Sequence, residues 1–487
     1  MKSPFTRRSF LQFGLGIAGA AAVAACSQAP AASPTQAPAQ AAPTQAPAAA
    51  APTQAPAQAA SAPTTAPAAA PTTAPAAASN PSSASNVTIQ VATRTGGDAQ
   101  IMTKTVQTFT QQNGIKATAV AYGPEPDYWS KVQALYATKQ VADVIWASTG
   151  NLFGLANKGI FHELDSVIKS DNYDMSDYVP NALASLTLKG KLYALPWGTH
   201  PGNGGLVYSV GALNDAGFTK VTDDASSILD WTYDTLMQAA MKTTKRTGDQ
   251  VDVYGYLPGN DYLSLTNVLG AYGADFLSED GSKLTMDTPE FMKGMQWVYD
   301  AYVTNKVAPA PTPGLNGDQL FDGKKLAMEL SGYWGQFQPG IKDDSFKWND
   351  SLQPLGPTGK RGTHLTINGQ TMSAITQHDK EAWEFLKFLM SPEQNVQIVL
   401  AGGGRPAARK AVLNDQTLMT KMKAHKVWVQ GIESAQPWRQ PANFRWPEFN
   451  TTITQAFADV WIGKQTLEQA LPNATKLLQS VLDKSPA

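Results

Sequence analysis

The stretch VTIQVATRTGG, from Val87 to Gly97, decides how the chain is read. Val87, Ile89 and Val91 alternate with polar residues at the period of a strand, and the run breaks at Gly96-Gly97. Beyond the break Met102, Val106 and Phe109 recur at helical spacing until Gly114 stops them. The alternation then repeats. A strand from Ile115 to Tyr122 precedes a helix from about Asp127 to Lys139, and the short apolar strand Asp143-Val144-Ile145-Trp146-Ala147 precedes a helix from Leu152 to Lys158 that ends at Gly159. Such alternation predicts an α/β fold with a parallel sheet and helices on both faces. Open sheets of this kind hold ligands beyond the carboxyl ends of their strands, so the loops 93–98 and 146–151 form the expected crevice.

Further along, Leu192 to Pro196 leads through a Gly-rich stretch, Gly198 to Gly205, into a new strand at Leu206-Val207-Tyr208, which reads as a crossing between two lobes. Helical patterns follow over 231–244, 262–272, 289–304, 318–324, 380–390, 392–400 and 465–482. Pro392 suits the first turn of its helix, where a backbone N–H would go unpaired anyway.

Upstream of Val87 the composition changes. Lys2, Arg7 and Arg8 open the chain, followed by an uncharged Gly/Ala-rich stretch from Phe10 to Ala25 that is too short and too weakly apolar for a permanent span. Thr6-Arg7-Arg8-Ser9-Phe10-Leu11 resembles the twin-arginine signal that exports folded proteins in bacteria, and Val23-Ala24-Ala25-Cys26 resembles the site where a signal is cut before a lipid-modified cysteine. Residues 1–26 are thus expected to be a lipoprotein signal. Residues 27–86 carry no charge, consist of Ala, Pro, Thr, Gln, Ser and Asn, and repeat Pro-Thr-Gln-Ala-Pro from Pro34, Pro43 and Pro52. They cannot bury a core and are expected to be a disordered tether with polyproline II character. The chain would then be held outside the cytoplasm, on the outer face of the cell membrane, by lipidated Cys26.

Of the 487 residues, 43% are hydrophobic and 16% charged, with 38 basic residues against 39 acidic ones, a length that suggests at least two domains. Without Lys2, Arg7 and Arg8, 35 basic residues face 39 acidic ones after residue 86, a net charge of about -4. No basic field is available for a nucleic-acid backbone, so nucleic acid is not an expected partner. One cysteine excludes an internal disulfide framework and any cysteine-clustered metal site. The chain has no G-x-S-x-G elbow, H-E-x-x-H or P-loop, and its G-x-G-x-x-G match at Gly14, Gly16 and Gly19 lies in the signal without a preceding strand. The five histidines stand far apart, so neither a metal, another cofactor nor a catalytic group is expected.

The body does carry tryptophan, with all 12 of them after residue 87. Trp197, Trp334, Trp438 and Trp446 stand in Gly/Pro-rich, loop-like surroundings, whereas Trp297, Trp383 and Trp461 sit on helical patterns and read as core. An aromatic face offers a platform for the C–H surface of a sugar or a π-face for a cation.

The order of segments resembles the extracellular solute-binding proteins of family 1, the receptors of ABC import systems that include the maltose-binding protein. The resemblance rests on Ala142-Asp143-Val144 with Leu155 to Leu164, on Leu192-Tyr193-Ala194-Leu195-Pro196 with Leu206 to Ser209, and on Phe321 to Met328 with Gly332-Tyr333-Trp334. It continues through Glu381 to Leu389 with Ser391-Pro392-Glu393, and Gly403-Gly404-Arg405-Pro406-Ala407. It implies a two-lobed periplasmic-binding fold of type II, with one lobe at 87–197 and 350–395, the other at 202–345 and 400–487, and a ligand cleft between them that closes like a hinge. It also implies a monomeric receptor that binds a carbohydrate, an oligosaccharide or glycoside, and hands it to an ABC permease without bond chemistry. The alternatives are a receptor for a polyamine or other small cation and, less favoured, a secreted carbohydrate-active enzyme.

By the same resemblance the ligand-binding residues are expected to be Trp146, Trp334 and Trp446 as aromatics, with Tyr262 beside them and Asp261 or Leu263 as equal alternatives. Trp197, Thr199 and His200 are expected to contact ligand at the lobe crossing, Asn368 and Gln370 where the chain returns to the first lobe, and Arg405 after its glycines. Asp143 reads as a structural cap of the strand edge.

Overall fold

Ile89 and Val91 of strand β1 (Thr88–Thr93) have no exposed surface, while Thr88 and Gln90 face solvent, so the alternation in the sequence becomes a buried face and an open one. The helix Gly97–Asn113 turns Met102, Val106 and Phe109 onto the sheet and stops at Gly114, which takes the left-handed turn at φ +69°. Burying each of these side chains contributes roughly 1.5–3 kcal/mol. Phe109 meets Phe385 edge-on at 5.1 Å, which fastens the helix Asp379–Met390 beside it.

This computed structural model describes residues 87–125, 127–202, 204–224, 229–337, 340–342 and 346–487. Cys26, the twin-arginine segment and the stretch 27–86 lie outside the described residues.

Two main sheets are built from β1 together with β2 (Lys116–Ala121), β3 (Val144–Ser148), β4 (Leu195–His200), β5 (Gly205–Ser209), β6 (Met328–Ser331), β7 (Trp348–Leu352) and β8 (Thr366–Met372). The first sheet has the order β2-β1-β3-β8-β4 and the second the order β6-β5-β7. The expected parallel sheet is in fact mixed. β1 pairs in parallel with β2 and β3, but β8 runs antiparallel to both β3 and β4. The reason is topological: β8 enters from β7 of the other sheet rather than by a helical crossover within its own.

Each sheet carries its own core. Ile89, Val144, Ile145, Leu152, Ile367 and Leu386 centre the first, and Leu206, Tyr208, Leu265, Leu269, Phe291 and Phe449 the second. The fold is thus two-lobed, but the lobe limits differ from the expected ones in two places. β7 pairs with β5, so residues 350–352 run with the second sheet, and Ala408, Leu413, Val429 and Ile432 pack into the first core although they follow residue 400. Asp143 pins the first sheet as a structural cap should, accepting from the Gln90 N–H at 2.8 Å and from the Thr376 hydroxyl at 2.6 Å.

Helices occupy stretches of the C-terminal region that carry no helical pattern in the sequence reading. Among them are His425–Ser434 and Trp446–Ala456, the latter with Pro447 in its first turn. Trp446 is therefore the first residue of a helix, not a loop residue.

Candidate functional site

The carboxyl ends of β1, β3 and β4 and the amino end of the reversed β8 converge on one side of the first sheet, facing the second lobe. A cavity of about 560 Å³ lies there, lined from the first lobe by Arg94, Glu125, Ser148 to Asn151, His200, Thr366 to Asn368 and Arg405. The second lobe contributes Asp261, Leu263, Trp334, Trp438, Trp446 and Asn450. Both expected crevice loops reach it, 93–98 through Arg94 and 146–151 through its last four residues.

Five of the ten expected ligand-binding residues line this cavity: His200, Trp334, Asn368, Arg405 and Trp446. The other five are buried outside it, each for a local reason. Trp197 and Thr199 alternate along β4 with Gly198 and His200, and only the latter pair is on the Arg405 side, where a Cβ on Gly198 would meet Arg405 at 3.3 Å. Trp146 is 2% exposed, stacked on Trp129 at 5.0 Å and covered by the Arg94 guanidinium at 4.3 Å. Gln370 lies past a register shift between Asn368 and Gly369 and is fully buried between β3 and β4. Tyr262 points into the second core, its hydroxyl donating to Arg439 O at 3.2 Å, whereas its neighbours Asp261 and Leu263 line the cavity.

The first-lobe wall is polar and rigidly held. Arg94 pairs with Asp98 at 2.5 Å and with Glu125 at 3.0 Å, and Glu125 also accepts from the Trp129 indole at 2.7 Å. With its amide oxygen assigned toward Arg405, Asn368 accepts from Nη1 at 2.6 Å and Nε at 3.2 Å. Burial, followed by the nearby charge of Arg94, lowers the Arg405 guanidinium to about 10, so it stays charged at neutral pH. Burial, followed by the charge of Arg405, pushes His200 down to about 3, which leaves a neutral imidazole. Its Nδ1 donates to Gly202 O at 2.7 Å, and Nε2 accepts from the Thr366 hydroxyl at 3.0 Å.

The second-lobe wall is aromatic. Trp334 is half-buried; its indole donates to Asp318 at 2.9 Å, and the Arg405 guanidinium lies 5.3 Å from its ring centre. Trp446 meets Tyr262 edge-on at 4.7 Å and Trp438 at 4.8 Å, so a buried tyrosine and a half-buried tryptophan hold a half-buried ring in the cavity wall. A side chamber of about 640 Å³ within the second lobe shares Trp334 and Asp261 with the cavity and is lined by Asp318 and Glu329. Burial, reinforced by Asp318, raises the Glu329 carboxyl well above the usual range. Arg94, Glu125, Trp438 and Asn450 complete the site without having been named as contacts, while Asp261 and Leu263 stood as alternatives to Tyr262. The crevice rule reached Arg94 through its loop, and Trp438 stood among the loop tryptophans, but nothing in the sequence marked Glu125 or Asn450.

Residues 104–426 match the family described as bacterial extracellular solute-binding protein. The chain belongs to that family. This solute-binding protein is 28% identical over 215 residues to an arabinooligosaccharide-binding protein of Halalkalibacterium halodurans, a match covering 42% of this chain and 45% of that protein. The chain thus spans less than half the length of that relative. In fold it resembles an ABC substrate-binding protein of Listeria monocytogenes in complex with cycloalternan, with a TM-score of 0.70 and 21% identity over 81% of this chain and 98% of the other. It also resembles an ABC transporter solute-binding protein of Thermotoga lettingae bound with α-D-tagatose, with a TM-score of 0.69 and 20% identity over 81% of this chain and 99% of the other. The family is one of extracellular binding proteins. Among the described residues no helix is long and apolar enough to cross a membrane, and no group of three or more His, Cys, Asp or Glu is arranged to hold a metal ion.

Proposed function

We propose that this solute-binding protein is the receptor of an ABC importer for a carbohydrate, an oligosaccharide or glycoside, bound between the lobes by hinge closure and passed to the permease. The observation that carries the reading is the pairing of two walls across the cavity: Trp334 and Trp446 on one side, and Arg405, Asn368 and the 148–151 loop on the other. Indole faces suit the apolar face of a sugar ring, while a planar guanidinium and amide suit its hydroxyls. The side chamber behind Trp334 favours a ligand longer than one ring. The sugars named for the relative and for both similar structures support the same class.

The protein binds without bond chemistry: Glu125 is engaged by Arg94 and Trp129, and Asp261 by the Ser264 N–H at 2.7 Å, so neither is a free acid or base. Arg405, held by the Asn368 amide rather than by a carboxylate, disfavours a polyamine. Cys26, at the end of Val23-Ala24-Ala25-Cys26, carries the lipid that anchors a monomer to the outer face of the membrane, after export by the twin-arginine signal. Isothermal calorimetry with arabino- and malto-oligosaccharides, monosaccharides and spermidine tests the ligand class. Saturable heat with a sugar and an unaltered sugar afterwards is expected, and heat with spermidine alone would overturn the reading.

A further inference from the structure

A cavity of about 690 Å³ shares no lining residue with the cleft and sits on the chain crossings instead. Three crossings run side by side between the lobes. A Cβ on Gly204 would lie 3.0 Å from the Thr363 side chain, and the backbone of Gln436 bridges Leu365 and Thr363, its O accepting from the Leu365 N–H at 2.8 Å and its N–H donating to Thr363 O at 2.8 Å. Two of these crossings, 352–364 and 430–439, supply most of the wall.

The wall is basic. Lys360, Arg361 and Arg439 line it against one carboxylate, Asp275, which is buried and already engaged. Asp275 accepts from the Phe276 N–H at 2.7 Å and the Tyr262 hydroxyl at 3.3 Å, and it lies 3.2 Å from His364 Nε2 and 3.6 Å from Arg439 Nε. The other carboxylates near the two arginines stand in open solvent: Asp230 is 91% exposed at 3.6 Å from Arg361, and Glu279 is 93% exposed at 4.0 Å from Arg439. Such exposed pairs are worth little, and although Arg361 also donates to Gln353 O and Arg439 to Leu277 O at 2.9 Å, each guanidinium keeps further N–H donors for a ligand. Lys360 makes no ion pair among the described residues. Thr288, the cap of the helix Pro289–Tyr299, lines the same cavity and adds the positive end of an 11-residue helix.

His364 lines the same cavity, with its side chain 5% exposed. Its Nε2 is matched to Asp275, but its Nδ1 has no hydrogen-bond partner, a costly state for a buried polar atom. In the neutral tautomer that donates Nε2–H to Asp275, Nδ1 offers a lone pair and needs a donor. A ligand suited to the whole site must therefore accept from cationic side chains and also donate one hydrogen bond. An oxyanion that retains a hydroxyl meets both needs, whereas a fully ionised oxyanion meets only the first.

The geometry points to a binding site for inorganic hydrogen phosphate on the crossings between the lobes: the P–OH donates to His364 Nδ1, and the remaining oxygens accept from Arg361, Arg439 and Lys360. No bond is made or broken. The site discriminates phosphate from sulfate, which has similar size and charge but no proton to donate near neutral pH.

The test is calorimetric titration of the full chain with inorganic phosphate and, separately, with sulfate at matched ionic strength. Saturable phosphate binding at least about tenfold tighter than sulfate binding is expected, falling about tenfold in the double variant Lys360→Gln/Arg361→Gln, both of whose side chains reach solvent. His364→Gln should bring the two anions to equal affinity. Glucose 6-phosphate, a monoester whose second pKa of about 6 leaves it mostly without a P–OH at neutral pH, should bind more weakly than inorganic phosphate, and tighter binding would overturn the assignment. No saturable phosphate binding, equal affinity for sulfate, or phosphate affinity unchanged in the double variant would each overturn the assignment.

Discussion

Trp446 of the second lobe rests on Gly150 of the first, so closely that a Cβ added at Gly150 would fall 2.2 Å from the indole Nε1. Gly150 lies in the helix Thr149–Asn157, where alanine would otherwise be the better helix former by about 1 kcal/mol. The glycine is explained by the approach of the opposite lobe rather than by its own helix. Gly150→Ala is therefore expected to hold the lobes apart at this contact and to weaken sugar binding by roughly 5–150-fold, with little loss of melting temperature. Calorimetry and a thermal scan on the same sample check this. Unchanged affinity would mean that the contact is not part of the bound state.

The cavity tryptophans and the core tryptophans should fail differently. Trp334→Ala and Trp446→Ala remove half-buried rings and are expected to cost about 1–3 kcal/mol of binding with small shifts in melting temperature. Trp383 is 3% exposed, meets Tyr173 edge-on and donates to Asp171 at 3.1 Å, so Trp383→Ala should cost about 3–5 kcal/mol of stability. Paired melting and binding curves decide between the two patterns.

Trp146 moves into the second class. Sealed beneath Arg94 and against Trp129, it supports the cavity floor without reaching it. Trp146→Phe should thus leave the sugar affinity within about threefold while lowering stability by about 1–3 kcal/mol, which urea unfolding measures. A loss of affinity without a loss of stability would return Trp146 to the ligand.

Two buried groups tie stability to pH with opposite signs. Asp350 on β7 is 1% exposed; burial raises its carboxyl to about 7, although it accepts from the Trp428 indole. The unfolded chain ionises at the ordinary 3.8, so this contribution is full below about 3.8 and is lost as pH rises to about 7. His200, lowered from 6.5 to about 3, contributes fully above 6.5 and loses that contribution as pH falls toward 3. Asp350→Asn removes only the first effect. It should stabilise the protein at pH 8 by on the order of 2–4 kcal/mol relative to its effect at pH 4, as read by urea unfolding at both values. An equal effect at the two pH values would contradict the buried, unpaired charge.

Much of this organisation is legible in the sequence, because it is written in local periods. The alternation at Val87 to Val91, the helical spacing of Met102, Val106 and Phe109, and the glycine stop at Gly114 all act within a few residues. The helix Tyr262–Tyr272 has the bounds its pattern predicts. What escapes the sequence depends on partners far along the chain. The direction of β8 follows from its entry out of β7, and the burial of Gln370 follows from a register shift against β4. At Asp261, Tyr262 and Leu263 the sequence brings the chain to the site, but the cap geometry of Asp261 and the phase of the helix it opens decide that the tyrosine turns inward and its neighbours line the cavity. Trp197 and Thr199 illustrate the same limit on a strand, where a shift of one residue exchanges the cleft for the core.

In the proposed mode of binding a sugar is held between the lobes by the aromatic wall of one and the polar wall of the other. The most direct measurement is a crystal structure of the protein saturated with the oligosaccharide it binds best. A sugar ring stacked on Trp334 or Trp446 is expected, with hydroxyls bonded to Arg405 and Asn368 in the same complex. A sugar that touches only one lobe, or that lies outside this cavity with Trp334 and Trp446 both free, would contradict it.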